Sequence, residues 1–231
     1  MGIAERRGRH RERLRREILG AARSILVTEG FAHFTMRNIA QRIEYSPTTI
    51  YLYFRNREEL LHQLCEEVYG ALYQTLDRAA SLPGSPLKRL HASLRAYVEF
   101  GLADPTRYRV AFMTRVGPGI DVSSFLEEGK QARRTYDRMR QCVGEALRAA
   151  GAPLEVDATV QALWSLVHGL VALLNDHPHF PWVEQGILVE RSLDLALRGL
   201  RPTRRRPAAA PPARGRTEGA GRARRRGGER G

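Results

Sequence analysis

Cysteine is scarce: the 231 residues hold only Cys65 and Cys142, far apart and both inside helical patterns. That argues against a disulfide-stapled secreted fold and suits buried free thiols in a reducing compartment; no spacing supports a redox pair. Period-two alternation is missing as well, so no stretch reads as a convincing strand and the fold class is all-α. No apolar run is long enough to cross a bilayer, because the most hydrophobic one, 162–174, is interrupted by Trp164, Ser165 and His168. The basic opening has no apolar signal core, and Arg6 stands where a myristoylation motif wants Ser or Thr. A soluble protein with no membrane partner is expected. Catalytic signatures are also lacking: there is no G-x-S-x-G, H-E-x-x-H, phosphate-binding loop or dinucleotide fingerprint, and no base–nucleophile pair. Asp176, His177 and His179 lie in a proline-broken loop without further spaced His or Cys, too little for a metal site. Hence no enzyme and no cofactor are expected.

What is present in excess is positive charge, +13 in all, and it is unevenly placed. Residues 1–16 hold seven arginines against Glu5 and Glu12, and residues 201–231 hold eleven against Glu218 and Glu229. The body between them is close to neutral. Two arginine-rich arms on a neutral body suit polyanion binding better than an evenly basic surface would. The tail 201–231, made mostly of Arg, Pro, Gly and Ala, cannot form a core and is expected to be disordered. It is expected to add sequence-independent attraction to phosphates, with a solvating role as the bland alternative.

The most informative stretch is 35–60, TMRNIAQRIEYSPTTIYLYFRNREEL. Thr35 stands as a helix N-cap, and Ile39, Ala40 and Ile43 follow at the spacing of one buried helical face. Ser46 then offers a second cap with Pro47 at the first helical position, where a missing N–H costs nothing, and Ile50 and Phe54 give the next buried pair. Only Glu44, Tyr45 and Ser46 separate the two helices, so they turn sharply and pack as a helix-turn-helix. At about 100° per residue, with Ile50 and Phe54 inward, Thr48 and Leu52 point outermost and Thr49 and Tyr51 flank them. That small, hydroxylated, uncharged surface suits a major groove, where hydroxyls reach phosphates or base edges and methyls touch thymine. A helical hairpin that merely completes a core is the plain alternative.

In these residues the chain resembles the DNA-binding domain of the TetR/AcrR family of bacterial transcription regulators. The resemblance rests on Thr35, Arg37, Ile39, Ala40, Ser46, Ile50, Tyr51, Tyr53, Phe54, Arg57, Glu58 and Leu60 in register. It implies that Thr35, Arg37, Ser46, Pro47, Thr48, Thr49, Tyr51, Leu52, Tyr53 and Arg57 meet double-stranded DNA, with Arg37 and Arg57 neutralising phosphates. One departure stands out: Glu44 and Tyr45 occupy a turn where the family often has glycine. Glutamate tolerates positive φ less readily, so a strained or different turn is expected there.

The rest reads as helix after helix. Leu14, Ile18, Ala21, Ala22, Ile25 and Leu26 form an amphipathic first helix, and Asn56 with Glu59 resembles a capping box before the stripe Leu60, Leu61, Leu64, Val68, Leu72 and Leu76. SLPGSP at 81–86 breaks the pattern, and GAP at 151–153 and DHPHFPW at 176–182 break it later. About nine helices are expected. The implied domains are a basic disordered arm 1–10, a DNA-binding domain 11–57, a helical effector-binding and dimerisation domain 58–200, and the disordered tail.

Trp164, His168 and Gly169 resemble the Trp-x-x-x-His-Gly pattern of a TetR subgroup's effector domain. Tyr97, Phe112, Met113, Tyr136, Met139, Trp164 and His168 are candidate walls of a ligand pocket. For His168 a satisfied core position is the preferred reading, and for Gly169 a close helix contact. The resemblance implies a cytoplasmic, nucleoid-associated homodimer, most simply a repressor released from operator DNA by a small-molecule effector. Its dimer seam is expected on the leucine-rich last two helices, Leu193 included. The alternative is a sequence-indifferent architectural nucleic-acid binder driven by the basic arms.

Overall fold

The computed structural model describes residues 2–112 and 122–200. Nine α-helices lie among them: α1 (Ile3–Thr28), α2 (Met36–Arg42), α3 (Pro47–Tyr51), α4 (Arg57–Ala80), α5 (Pro86–Ala103), α6 (Pro105–Phe112), α7 (Gln131–Ala150), α8 (Val156–Asp176) and α9 (Gln185–Arg198). No strand occurs among the described residues. Met113 and the tail 201–231 lie outside them.

Local chemistry accounts for most of the helix starts. The side chains of Thr35, Ser46, Asn56 and Ser85 each accept a hydrogen bond from the backbone N–H three residues on. Pro47 and Pro86 fill first-turn positions, and the Asp104 carboxylate accepts from the Arg107 N–H at the start of α6. Asn56 and Glu59 make half of a capping box. Asn56 accepts from the Glu59 N–H at 2.8 Å, but the Glu59 carboxylate reaches back to the N–H of Arg55 rather than of Asn56.

Two apolar cores organise the helices. The first gathers Ile18, Ile25, Phe34, Ile39, Ile50 and Phe54 from α1 to α3, and is closed by Leu60, Leu61, Leu64 and Cys65 of α4. The second joins Leu72 and Leu76 of α4 to Leu90, Leu94, Val143, Val167, Val171 and Leu193. The cores therefore divide inside α4, between Cys65 and Leu72, and not at the 57/58 boundary read from sequence. One rigid helix serves both halves.

Three expectations need correction. The arm 1–10 is helical from Ile3 onward, continuous with α1. Arginine is a good helix former, and extending a helix already anchored by Leu14 and Ile18 avoids the cost of nucleation. Leu193 is fully buried in the chain's own second core, so it cannot form a seam between two copies. Gly169 makes no close helix contact, since a Cβ there would meet nothing within 4 Å. The close approach is at Gly101 instead, where a Cβ would lie 2.6 Å from Val171 Cγ1 and 3.1 Å from Tyr108 Cδ2.

By length and composition α8 would also suffice to span a membrane, but it is a bundle helix here, with Val160, Leu163, Val167, Leu170 and Val171 buried against its neighbours. Leu173 on α8 and Ile187 and Leu195 on α9 stay exposed.

Candidate functional site

Helix α2 ends on Glu44, which has φ 60. The Glu44 N–H donates to Gln41 O at 3.2 Å and the Tyr45 N–H to Ala40 O at 2.9 Å, the bond pair that closes a helix on a left-handed residue. Glycine usually holds that position, and a residue with a Cβ there costs about 1–2 kcal/mol. The missing glycine thus leaves the turn type unchanged and places strain on one glutamate.

That turn presents α3 with Ile50 and Phe54 buried and its other face open. Thr48 is exposed, as are Tyr51 (54%) and Leu52 (72%). Thr49 is half-buried and belongs to the cap: its hydroxyl lies 2.9 Å from Ser46 Oγ, which also accepts its N–H. Thr35 is likewise a capping residue, while Ser46 and Pro47 sit exposed at the helix start and Arg37 is exposed on α2. The Arg57 guanidinium stacks over Phe31 at 5.0 Å and pairs with Glu58 at 3.0 Å, and that hydrogen bond holds the Glu58 carboxyl below the usual range.

Tyr53 is half-buried under Arg11, at 5.9 Å, and Phe54 lies under Arg15, at 5.5 Å. The extended α1 therefore carries a basic edge alongside the end of α3. Arginines one turn apart at 11 and 15, out of phase with Leu14 and Ile18, were the sequence signal for this edge.

In the C-terminal bundle a cavity of about 950 Å³ opens between α4, α5, α7 and α8. Tyr97, Phe112, Tyr136, Met139 and Trp164 line it, with Tyr69, Leu72, Leu76, Leu94, Val160 and Val167. Its charged lining groups are paired, Arg133 with Asp137 at 2.9 Å and Arg140 with Asp157 at 2.7 Å. Arg140 holds the Asp157 carboxyl below the usual carboxylate range, and Asp157 also accepts from the Tyr136 hydroxyl at 3.1 Å. Arg133 and Asp137 stand four residues apart on α7, a spacing visible in sequence, whereas Arg140 and Asp157 carried no such signal because their pairing joins α7 to α8 across the fold.

His168 does not line the cavity. Its Nδ1 lies 2.6 Å from the Tyr108 hydroxyl, which lies 2.9 Å from the Tyr97 hydroxyl, which accepts from Trp164 Nε1 at 3.0 Å. Burial keeps the His168 pKa below the usual histidine value and raises the Tyr97 phenol to about 12 and Tyr108 higher still. Tyr108 is the residue sequence reading passed over. It sits one turn before Phe112 on α6, and that spacing was the available signal.

Helix α6 touches both cores: Tyr108 is buried in the second and Phe112 packs against it, while Val110 is buried in the first. The Arg107 guanidinium also donates to Glu67 O of α4 at 3.1 Å, and the Tyr69 hydroxyl to Ala111 O at 3.4 Å.

Comparison with known proteins places both halves. The family described as bacterial regulatory proteins, tetR family, matches residues 18–64, and the tetracyclin repressor-like C-terminal domain matches residues 90–200. An uncharacterized HTH-type transcriptional regulator of Haemophilus influenzae is 32% identical over 65 residues, 28% of this chain and 35% of that protein. The chain thus spans about a third of the length of that curated relative. Among solved structures, a bacterial regulatory protein in the tetR family from Rhodococcus RHA1 aligns with a TM-score of 0.68 at 20% identity, over 82% of this chain and 97% of that one. The transcriptional regulator FadR from Bacillus subtilis, in complex with stearoyl-CoA, aligns with a TM-score of 0.67 at 17% identity, over 79% and 97%. At these identities the likeness is one of fold.

Proposed function

Because this chain belongs to the TetR family of bacterial regulatory proteins, we propose that it is a one-component transcriptional repressor that binds operator DNA as a homodimer and is released by a small molecule. The observation that carries this reading is α6, a short helix with Val110 in the DNA-binding core, Tyr108 in the second core and Phe112 lining the cavity. A ligand entering against Phe112 and Tyr97 displaces α6, and Val110 transmits the shift to the packing of α1 and α4. The free energy that disfavours DNA binding is the ligand's differential affinity for the two arrangements, and by linkage operator DNA weakens the ligand equally.

In the dimer, exposed Leu173, Ile187 and Leu195 of α8 and α9 meet their copies, since the two-fold symmetric contact buries apolar surface that one chain leaves open. The two α3 helices then read half-sites one helical turn, about 34 Å, apart. Thr48, Tyr51 and Leu52 face the bases; Arg37 and the arginines at the end of α1 face phosphates. The protein works in the cytoplasm, at the nucleoid.

Selection of bound duplexes from a random pool tests this reading. A two-fold symmetric motif is expected, and Tyr51→Ala should weaken binding to it by about 1 kcal/mol or more, with no change in the unfolding transition. Equal affinity for the selected site and for random duplex at fixed salt would support the architectural alternative instead.

A further inference from the structure

The hydrogen-bonded chain from Trp164 to His168 runs through the cavity wall, and its direction is set by chemistry. An indole N–H only donates, so Tyr97 accepts from Trp164 at 3.0 Å. Both phenols keep their protons, since burial raises both. One proton must then lie between the two hydroxyls, and His168 decides whose it is. If Nδ1 accepts, Tyr108 donates to His168 and Tyr97 donates to Tyr108, so the indole and both phenols are satisfied within the protein. If Nδ1 carries a proton, it donates to Tyr108, Tyr108 donates to Tyr97, and the Tyr97 O–H is left facing a mostly apolar cavity. An unpaired donor there costs a desolvation penalty that the first arrangement avoids. The lowered His168 pKa agrees with a neutral imidazole, which keeps one ring nitrogen free to accept.

Resting on the cavity's assignment as the effector site, we infer that His168 is a positioning residue that fixes what Tyr97 offers a ligand: an acceptor lone pair and no donor. The ligand class follows. It is an uncharged, mainly apolar molecule with one hydrogen-bond donor, such as an alcohol or phenol. No charge is called for, because both arginines of the lining already face carboxylates. Leu72, Leu76, Leu94 and Val160 in the lining supply apolar surface for a longer apolar chain. A ketone of the same skeleton only accepts, and finds an acceptor opposite it.

The test uses the full-length protein carrying Trp182→Phe, so that Trp164 is the sole indole, and titrates 2-nonanol and 2-nonanone against its fluorescence. The alcohol should bind at least about fivefold more tightly than the ketone, the worth of one ordinary hydrogen bond. In His168→Phe, Tyr108 turns its proton to Tyr97, which then donates into the cavity. Alcohol and ketone both accept that proton, so the ratio should fall to about one. Tyr108→Phe frees the Tyr97 proton directly and should do the same, which covers the case in which the histidine variant fails to fold. A purely structural role for His168 would weaken both probes alike and keep the ratio, which would overturn the inference. So would equal binding of the two probes by the parent protein, although the cavity would then still stand as a binding site. Binding of neither probe would overturn the ligand class; the regulator reading is judged separately by operator binding, which needs no ligand.

Discussion

Gly101→Ala is a small change with a large expected effect. The added Cβ would lie 2.6 and 3.0 Å from the two Val171 methyls and 3.1 Å from Tyr108 Cδ2. Val171 and Tyr108 are both fully buried, and valine is stiff at χ1, so neither can rotate away. Overpacking of this kind costs about 1–3 kcal/mol, against which alanine's better helix propensity returns up to about 1 kcal/mol. The contact is with a branched methyl and a ring rather than the tip of a flexible chain, so the cost should win by about 1–2 kcal/mol. At about 2–4 °C per kcal/mol for a chain this long, Tm should fall by several degrees. Urea unfolding followed by helical circular dichroism, at fixed protein concentration so that dimer mass action cancels, measures the change. Because Tyr108 must shift, the Trp164 environment should alter in the folded variant. An unchanged or raised midpoint would show that α5 and α8 are not held this close, and would undo the account of how Tyr108 is positioned.

Glu44→Gly should stabilise the protein by up to about 1 kcal/mol, the left-handed strain relieved less the extra entropy of an unfolded glycine, and should leave operator affinity alone; a lower urea midpoint would contradict the strain. Leu173→Arg or Ile187→Arg, on exposed apolar positions, should give helical monomers in sedimentation, whereas Leu193→Arg should unfold the chain because it buries an unpaired charge. Intact dimers with both exposed variants would move the seam elsewhere. His168 has a folded pKa below its usual 6.5, so the unfolded chain takes up the proton first. Its contribution is complete above about pH 6.5 and declines as pH falls through that value. The urea midpoint should drop between pH 7.5 and 5.5, and a slope equally steep in His168→Gln would assign the drop to other groups.

Some of this molecule could be read residue by residue. Thr35, Ser46 and Asn56 cap α2, α3 and α4 because capping involves atoms three residues apart, and Pro47 and the αα-turn are equally local. The buried pair Ile50 and Phe54 and the exposed Thr48 and Leu52 follow from helix period alone. Glu44 shows the same legibility in reverse: the absent glycine announced strain where φ is 60.

Tertiary structure decided the rest, wherever a helix had more than one apolar face or partners distant in sequence. Helix α8 is largely apolar, so periodicity could not say that Val171 packs at Gly101 of α5 while Leu173 faces outward, or that His168 stands behind the cavity wall. Leu193 looked like a seam residue because a leucine stripe does not state whether its own chain or a second copy covers it. The Tyr97–Tyr108–His168 chain joins three helices, and Arg140 meets Asp157 across two, with no spacing to advertise either. Caps and turns are settled within a few residues; the choice among equally apolar faces is settled only by what packs against them.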